Sequence, residues 1–299
     1  MKRLIKTFSV ILAVVIFALM AMGSGSSGSE STSSSGSISG GSGSQGSSSS
    51  KSLPTIEEQV LLDQDGFKIT AIDYEKDSIW GEGIKLLLEN NTSNDAVFTC
   101  NALIVNDFMI NDLFYSTVAA GKKSNEMLTL YSNELNNAGI DTIGKIEVDF
   151  RIYDADSYSD IIPSQYVTVQ TSDLGNMDTT PDDTGNEIYN DGTVRIVGKY
   201  VNEDSFWGQA ILLYIENNGD SKVAITCDDM SINGFMVTPY FYTTVYGGKR
   251  SIDEITIMQS DLEDNGIESI NEVEVKFSFY NPDTYETMGE TDPITFSVN

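Results

Sequence analysis

An internal repeat limits the fold of this chain more than any other feature of its sequence. Displacing the 299-residue sequence by 127 positions aligns residues 60–171 with residues 187–298 without a gap, and 34 of the 112 aligned positions are identical. The shared residues include Trp80-Gly81, which matches Trp207-Gly208. Ungapped self-similarity of this length indicates a duplicated structural unit. Residues 60–171 are the first repeat and residues 187–298 the second.

Within each repeat the apolar residues recur at every second position. Residues 84–89 and 146–153 alternate apolar and polar side chains, and so do their counterparts in the second repeat. This period predicts half-buried strands. Further strands are predicted near residues 66–74, 96–105, 114–119, 124–131 and 165–170. The pattern predicts an all-β chain of two tandem immunoglobulin-like antiparallel β-sandwiches, each filled by its own core.

One short helical turn is predicted in each repeat. In the second repeat Ser260 and Glu263 fit a capping box, and Gly266 is suited to the left-handed residue that ends a helix. Asn133 and Gly139 occupy the same places in the first repeat.

The N-terminal residues have the composition of an export signal. Lys2 and Arg3 precede an apolar run from Val10 to Met22, which is shorter than the ~20 residues that a membrane-spanning helix needs. Residues 1–23 are therefore predicted to be a signal peptide, with an uncleaved signal anchor as the alternative. We expect an extracytoplasmic protein, secreted or tethered to the cell membrane.

The remaining boundaries follow from composition. Residues 24–54 are predicted to be a disordered tether, because Ser and Gly occupy 16 and 7 of the positions from 24 to 50. The first sandwich is assigned to residues 55–171 and the second to residues 187–299. The acidic, turn-rich residues 172–186 between them are predicted to be a linker.

The composition excludes several classes of function. The chain has no histidine and two cysteines, so imidazole-based catalytic triads and His or Cys metal sites are not expected. The 17 basic and 45 acidic residues give a net charge of −28, which disfavours nucleic-acid binding. In a chain with 45 acidic residues, some pair lies by chance at the spacing that acid–base catalysis requires, so such a pair is no evidence for catalysis. We predict no enzymatic activity, no cofactor and no metal.

Two groups of charged residues have alternative interpretations. Asp154, Asp156 and Asp160 resemble part of an oxygen cage for calcium, but a solvated acidic loop is the default interpretation. The basic doublets Lys122-Lys123 and Lys249-Arg250 are expected to keep a sheet edge soluble or to meet nearby acids, with an anionic ligand as the alternative.

The cysteines occupy equivalent positions in the two repeats. Cys100 and Cys227 therefore have no partner within their own repeat, and a buried thiol that packs as a small apolar side chain is predicted for each. A disulfide between repeats or between chains is the alternative.

Aromatic residues that recur in both repeats are the candidates for ligand contact. Trp80 and Trp207 each precede a glycine at the start of a strand, where the ring either packs over the end of a sandwich or faces a sugar. Tyr115 and Tyr242 are paired in the same way and belong to a wider set of recurring tyrosines, Tyr153, Tyr280, Tyr158 and Tyr285. Tyrosine on the outer face of a strand is also ordinary β-propensity.

Six short motifs of the first repeat together resemble a known family. They are Trp80-Gly81, Glu89-Asn90-Asn91, Asn106-x-Phe108-Met109, Gly121-Lys122-Lys123, Gly139-Ile140-x-x-Ile143 and Glu147-Val148-x-Phe150. Their order is similar to that of an uncharacterised immunoglobulin-like domain of exported proteins and lipoproteins of Gram-positive gut bacteria. The resemblance covers both repeats and implies an extracytoplasmic β-sandwich without catalytic activity. The chain lacks the lipid-attachment cysteine that such proteins often carry.

The sequence thus predicts a non-catalytic, exported cell-envelope or secreted protein of a Gram-positive bacterium. Its tandem modules are expected to serve adhesion, ligand presentation or spacing, with a protein or glycan at the cell surface as partner. The alternative is a carbohydrate-binding module that uses Trp80 and Trp207. Membrane contact is expected through an uncleaved N-terminal segment, if at all.

Overall fold

The structure is a computed structural model that describes residues 52–76, 80–110, 113–205 and 207–298. The predicted signal peptide and residues 24–51 of the predicted tether lie outside the described residues. Within the described ranges, no helix has the length and apolar character required to cross a membrane.

The described residues are mostly strands, as the alternating pattern predicted. The first repeat forms β1 (Gln59–Gln64), β2 (Phe67–Lys76), β3 (Gly81–Asn90), β4 (Ala96–Val105), β5 (Phe108–Ile110), β6 (Tyr115–Val118), β7 (Lys122–Tyr131), α1 (Ser132–Asn137), β8 (Lys145–Asp154) and β9 (Asp160–Gln170). A 3-10 turn at Leu174–Asn176 follows.

The second repeat forms corresponding elements in the same order, with an additional strand β15 and with two strands, β19 and β20, in place of β9. They are β10 (Asn186–Asn190), β11 (Val194–Ser205), β12 (Gly208–Asn217), β13 (Val223–Ile232), β14 (Phe235–Val237), β15 (Pro239–Tyr240), β16 (Tyr242–Val245), β17 (Lys249–Met258), α2 (Gln259–Asp264), β18 (Glu272–Tyr280), β19 (Thr287–Glu290) and β20 (Ile294–Ser297). The bounds of β3, β4, β5, β6, β7 and α1 recur 127 residues later as those of β12, β13, β14, β16, β17 and α2.

Three sheets are present in the described part of the chain. The first sheet has the order β1-β2-β3-β7. The shared sheet has the order β10-β11-β12-β17-β5-β4-β8-β9, with β15 paired to β17 and β6 paired to β4. The last sheet has the order β14-β13-β18-β19, with β16 paired to β13 and β20 paired to β18. The shared sheet therefore contains strands of both repeats.

Each repeat is a two-layered sandwich around an apolar core. In the first repeat, Leu86 of the first sheet packs in one cluster with Phe98 and Phe150 of the shared sheet. In the second repeat, Leu213 of the shared sheet packs with Phe277 of the last sheet. The inward-facing members of the alternating strands thus form the two cores, and the all-β sandwich prediction is confirmed.

Many residues that the repeats share have a structural role. Asn90 and Asn217 are buried, and the side-chain Nδ2 of each donates a 2.9 Å hydrogen bond to a main-chain carbonyl, that of Val118 and that of Val245. A buried amide is stable when its polar atoms are paired in this way. These asparagines brace the turn that follows β3 and its counterpart after β12.

The two repeats meet edge to edge where β5 runs parallel to β17, a contact we call the junction. The main-chain carbonyl of Asp107 accepts a 3.0 Å hydrogen bond from the amide of Arg250. The ring of Phe108 lies edge-on to that of Tyr214, with centroids 6.5 Å apart. Val197 and Tyr214 of the second repeat belong to the core of the first. The prediction that each repeat is filled by its own core is wrong here, because the junction extends the first core into the second repeat.

Charged side chains line the junction beside its apolar part. The Lys249 ammonium lies 2.6 Å from a carboxylate oxygen of Asp107 and 2.6 Å from one of Glu147. Lys145 also pairs with Asp107, at 2.8 Å. The prediction that a basic doublet meets nearby acids is confirmed for Lys249, and the acids belong to the other repeat.

Residues of the predicted linker contact the second repeat. The Arg250 guanidinium donates a 2.8 Å hydrogen bond to the main-chain carbonyl of Thr179. Arg195 forms an ion pair of 2.8 Å with Asp183.

The short helical turns lie where the sequence predicted them, but their caps differ. The N-cap of α2 is Met258, without a side-chain cap hydrogen bond, so the prediction of Ser260 as the cap is wrong. Helix α2 continues directly from strand β17, so Ser260 already lies in the first helical turn. Gly139 and Gly266 follow α1 and α2 at φ values of 68° and 65°, as the left-handed exit requires.

Both cysteines are thiols. Cys100 packs against the core of the first repeat and Cys227 against that of the second, and each is half-buried. Burial raises the pKa of the Cys227 thiol to about 12, and the neighbouring Asp228 and Asp229 add to this effect.

Candidate functional site

Three recurring tyrosines of the first repeat form a cluster on the outer face of the shared sheet, together with Arg151. Tyr115 of β6 and Arg151 of β8 flank Thr99 of β4, one on each side. Burial raises the pKa of Tyr153, and the neighbouring Tyr115 hydroxyl adds to this effect. The Tyr153 ring stacks on the Tyr158 ring with centroids 6.2 Å apart. The Arg151 guanidinium lies 5.1 Å from the Tyr153 centroid, within the range of a cation–π contact.

The second repeat carries the equivalent tyrosines. Tyr242 of β16 lies opposite Thr226 of β13, and the Tyr280 side chain is hydrogen-bonded to Thr226. The Thr244 hydroxyl lies 3.2 Å from the Tyr242 hydroxyl. Ser278 stands where the first repeat has Arg151. We call Tyr115, Tyr153 and Tyr158 of the first repeat and their equivalents Tyr242, Tyr280 and Tyr285 of the second the tyrosine clusters, the second set being defined by its equivalent positions.

The last tyrosine of each cluster has an unusual backbone. Tyr158 and Tyr285 have φ values of 57° and 59°, in the left-handed region that a bulky side chain rarely adopts. Their side chains are 73% and 74% exposed. Holding a non-glycine residue there costs on the order of 1 kcal/mol, and such strain tends to concentrate at functional sites. An exposed, strained tyrosine at the same place in both repeats is explained better by a surface role than by packing.

Hydrogen bonds within the loop hold Tyr158 in this conformation. Its amide donates to the main-chain carbonyl of Asp154 at 3.0 Å, and the Asp154 carboxylate accepts from the amides of Asp156 and Ser157. The backbone hydrogen bond from Ser157 is the main cause of the lowered pKa of Asp154. In the second repeat the main-chain amide of Tyr285 donates a 2.8 Å hydrogen bond to the main-chain carbonyl of Asn281.

The acidic residues of this loop form hydrogen bonds and an ion pair. Asp154 accepts the amide hydrogen bonds of the loop, and Asp160 pairs with Arg151 at 2.6 Å. Among the described residues, no group of three or more acidic or cysteine side chains is placed to hold a metal ion.

Trp80 and Trp207 lie at the surface, 61% and 43% exposed. The Trp80 ring is edge-on to that of Tyr131, with centroids 6.3 Å apart. The glycine after each tryptophan has a structural reason: a Cβ on Gly81 would lie 2.3 Å from the carbonyl oxygen of Leu130. The Trp-Gly motif therefore combines a glycine that the strand pairing requires with an exposed indole.

The predicted site residues fall into separate groups. Trp80 precedes a strand of the first sheet, whereas Tyr115 lies on a strand of the shared sheet. Trp207 precedes a strand of the shared sheet and Tyr242 lies on the last sheet. The tryptophans and tyrosines of one repeat therefore belong to opposite layers of its sandwich.

The recurrence of Tyr158 in both repeats was the signal in the sequence that could have identified the tyrosine clusters. The left-handed backbone of this residue has no sequence signature.

Comparisons with known proteins find few similarities. No protein-family model and no curated protein matches this chain. One similar solved structure is the Salmonella enterica SafA pilin in complex with the SafB chaperone, at 10% sequence identity and a TM-score of 0.22, with 72% of this chain and 89% of that chain covered. Another is a protein of unknown function from Porphyromonas gingivalis, at 10% identity and a TM-score of 0.20, covering 81% of this chain and 94% of that one. TM-scores this low do not define the fold of this chain. The fold is established by the strand pairing itself, and the family resemblance stays a prediction.

Proposed function

We propose that this chain is a non-catalytic, exported protein of a Gram-positive cell envelope that binds a protein or glycan at the cell surface through its two tyrosine clusters. The observation that carries the proposal is the pair of exposed, left-handed tyrosines, Tyr158 and Tyr285, at equivalent positions. The N-terminal apolar run supports export, and the resemblance to immunoglobulin-like domains of exported proteins points the same way.

The chemistry of the clusters limits the partner. Tyrosine offers a broad apolar ring and a hydroxyl that donates and accepts hydrogen bonds, at a small cost in side-chain entropy. Sugar rings and the apolar side chains of proteins fit such a surface. A strongly anionic partner is disfavoured by the net charge of −28.

The junction supports a bivalent mode of binding. Because strands of both repeats lie in the shared sheet, strand pairing as well as the linker residues connects the two clusters. When two weak sites engage one surface together, the apparent affinity exceeds that of either site by about 10²–10⁴-fold, provided that the geometry fits.

Binding to bacterial and host surface glycans and proteins, displayed on arrays, tests this proposal. We expect Tyr158→Ala and Tyr285→Ala each to weaken binding of the full chain at least tenfold, and the double variant to abolish it. Tyr200→Ala is the matched control, because Tyr200 is exposed but lies outside both clusters. Binding that survives the double variant contradicts the proposal.

A second candidate function is carbohydrate binding through Trp80 and Trp207. The exposure of both indoles favours it, because a tryptophan that faces solvent is available to stack on a sugar ring. A glycan that is lost with Trp207→Ala but kept with Tyr285→Ala supports this candidate over the tyrosine clusters. The opposite pattern supports the clusters.

A further inference from the structure

We propose that copies of this chain join head to tail, because the chain carries at its two ends the two halves of its own internal junction. In this assembly β14 of one copy pairs in parallel with β7 of the next copy. This is the arrangement in which β5 pairs with β17 inside the chain. We call β14 the head edge and β7 the tail edge.

The strand order leaves both edges in the required positions. The head edge β14 is the counterpart of β5, and it stands at one end of the order of the last sheet. The tail edge β7 is the counterpart of β17, and it stands at one end of the order of the first sheet. Unpaired edge strands are sites at which another chain adds to a sheet. The internal registers Arg250 with Phe108 and Ser251 with Met109 set the expected pairing.

The apolar residues of the head edge are exposed where those of the junction are covered. Phe108 is 3% exposed because the second repeat packs against it, whereas its counterpart Phe235 is 48% exposed. Met109 is half-buried at the junction, and its counterpart Met236 is 65% exposed. A second copy packed on the head edge as the second repeat packs on β5 would cover both of these side chains. Tyr214, which contacts Phe108 at the junction, has Leu87 of β3 as its counterpart. Leu87 of the next copy is therefore expected to be the apolar contact for Phe235.

One ion pair of the junction has counterparts of the same signs, whereas Asp107, the other acid beside Lys249, has Gly234 as its counterpart. Lys249 pairs with Glu147 at 2.6 Å across the junction. Their counterparts are Lys122, the first residue of the tail edge, and Glu274 of β18 in the last sheet, both exposed and of the same signs. The head-to-tail arrangement therefore brings an acid and a base together at this position again.

A second pair has exchanged its signs and is still complementary. Lys222 of the second repeat lies 3.7 Å from Asp149 of the first. The counterpart of Lys222 is the exposed Asp95, and the counterpart of Asp149 is Lys276, which also pairs with Glu290 at 2.7 Å. A reciprocal exchange of charge preserves attraction when these two surfaces face each other in the geometry of the junction. This pair supports a second copy as the occupant of the head edge.

Repetition of one heterologous contact gives an open assembly. Each added copy presents a new head edge, so the chain of copies continues unless the rotation closes it into a ring. The contact between copies lacks the covalent linker that raises the effective concentration of the internal junction, so weak, concentration-dependent association is expected.

Sedimentation velocity of the full chain over a range of concentrations tests the proposal. We expect the weight-average mass to rise with concentration past that of two copies. Phe235→Asp is expected to weaken association tenfold or more, since it removes an apolar anchor and places a charge on the edge. Met288→Asp is the matched control, because Met288 is exposed and lies on β19, at the opposite end of the last sheet from the head edge. A monomer at every concentration, or association that Phe235→Asp leaves unchanged, overturns the proposal.

Charge reversal and mixing test the geometry. Lys122→Glu and Glu274→Lys are each expected to weaken association about threefold, and combining them in one chain is expected to restore it. In a mixture of the Phe235→Asp and Lys122→Glu variants, the intact head edge of the second variant fits the intact tail edge of the first, so this pairing is expected to be favoured over the self-association of either variant. Association of the native chain that stops at two copies, or a double reversal that fails to restore it, overturns the head-to-tail arrangement.

Discussion

The hydroxyl of Tyr246, in the second repeat, donates a 2.9 Å hydrogen bond to the carboxylate of Asp149, in the first. Asp149 is buried, and its other oxygen accepts a 2.5 Å hydrogen bond from Ser164. The Tyr246 ring also stacks on Tyr166, with centroids 6.4 Å apart. This contact joins the repeats at a site shielded from water, where a polar group is costly to leave unpaired.

Tyr246→Phe is expected to lower the free energy of unfolding by about 1.5–3 kcal/mol, because it removes a hydrogen bond to a buried charge and leaves the ring in place. Urea denaturation monitored by tryptophan fluorescence measures the effect. Tyr240→Phe, on an exposed residue, is the control and should change little. Equal stability of the two variants would show that the Asp149 contact adds nothing to the junction.

The charged part of the junction predicts a dependence on pH. Burial alone would raise the pKa of Asp107, but hydrogen bonds from Lys145 and Lys249 outweigh it and hold the pKa below the ordinary 3.8. Burial lowers the pKa of Lys145, but the hydrogen bond to Asp107 and the charge of Glu147 outweigh this and hold it above 10.5. The aspartate contribution is therefore present above pH 3.8 and is lost as the pH falls through its folded-state pKa. The lysine contribution is present below pH 10.5 and is lost as the pH rises through its folded-state pKa.

The variant Asp107→Asn tests the predicted loss of stability at low pH. It removes the titrating carboxylate, so unfolding curves recorded from pH 6 down to pH 2 should show a smaller loss of stability than those of the native chain. Asp63→Asn is the control, because Asp63 is exposed and lies on β1, at the opposite end of the first sheet from β7. Identical acid profiles for Asp107→Asn and the native chain would contradict the assignment.

The strands were predictable because their signal is local. Alternation in residues such as Ile84, Leu86 and Leu88 specifies a strand and its buried face within six positions, and the duplication doubles the evidence. The helical turns and their glycine exits were predictable for the same reason. The cap at Met258 was not, because the run from strand into helix leaves Ser260 inside the first turn.

The junction was not predictable from pattern, since β5 is three residues long and its partner lies 142 positions away, as the Asp107 and Lys249 pair shows. Its sequence signal is a difference between the repeats. Tyr214 and Tyr246 stand where the first repeat has Leu87 and Ala119, and both aromatics are buried by contact between repeats. In this chain the replacement of Leu87 by Tyr214 and of Ala119 by Tyr246 therefore marks where the two repeats meet.

The Trp-Gly motif predicts a strong dependence on glycine. Gly208 has a φ of 156°, and a Cβ there would lie 2.1 Å from the carbonyl oxygen of Ile257. Gly208→Ala is therefore expected to cost more than about 2 kcal/mol, because the β12–β17 pairing must shift. Gly248→Ala is the matched comparison: it has a φ of 69° but nothing within 4 Å of the new Cβ, so about 1–2 kcal/mol is expected from the backbone alone. Thermal unfolding ranks the two, and a smaller effect at Gly208 would be inconsistent with this packing.

The burial of Cys227 predicts that its thiol reacts slowly. Because burial raises the pKa of Cys227 to about 12, little thiolate forms at pH 8, and this thiol should react slowly with a disulfide reagent in the folded chain. Mass spectrometry of the labelled chain locates the modified cysteine, and labelling in urea supplies the unfolded reference. Labelling of Cys227 at the unfolded rate would contradict its burial.

The strained tyrosines predict a trade-off between stability and binding. Tyr158→Gly replaces a left-handed tyrosine by the residue that adopts this conformation most readily, which relieves on the order of 1 kcal/mol of strain. The variant also loses the stacking of Tyr158 on Tyr153, which contributes on the order of 0.5–1.5 kcal/mol. Tyr158→Asn is a second variant of the same kind, because asparagine also tolerates the left-handed region and also lacks the ring, but it does not add the backbone freedom of glycine. If the tyrosine is kept for its surface, both variants unfold at nearly the native urea concentration while ligand binding falls. A large loss of stability in both variants would instead assign Tyr158 a packing role.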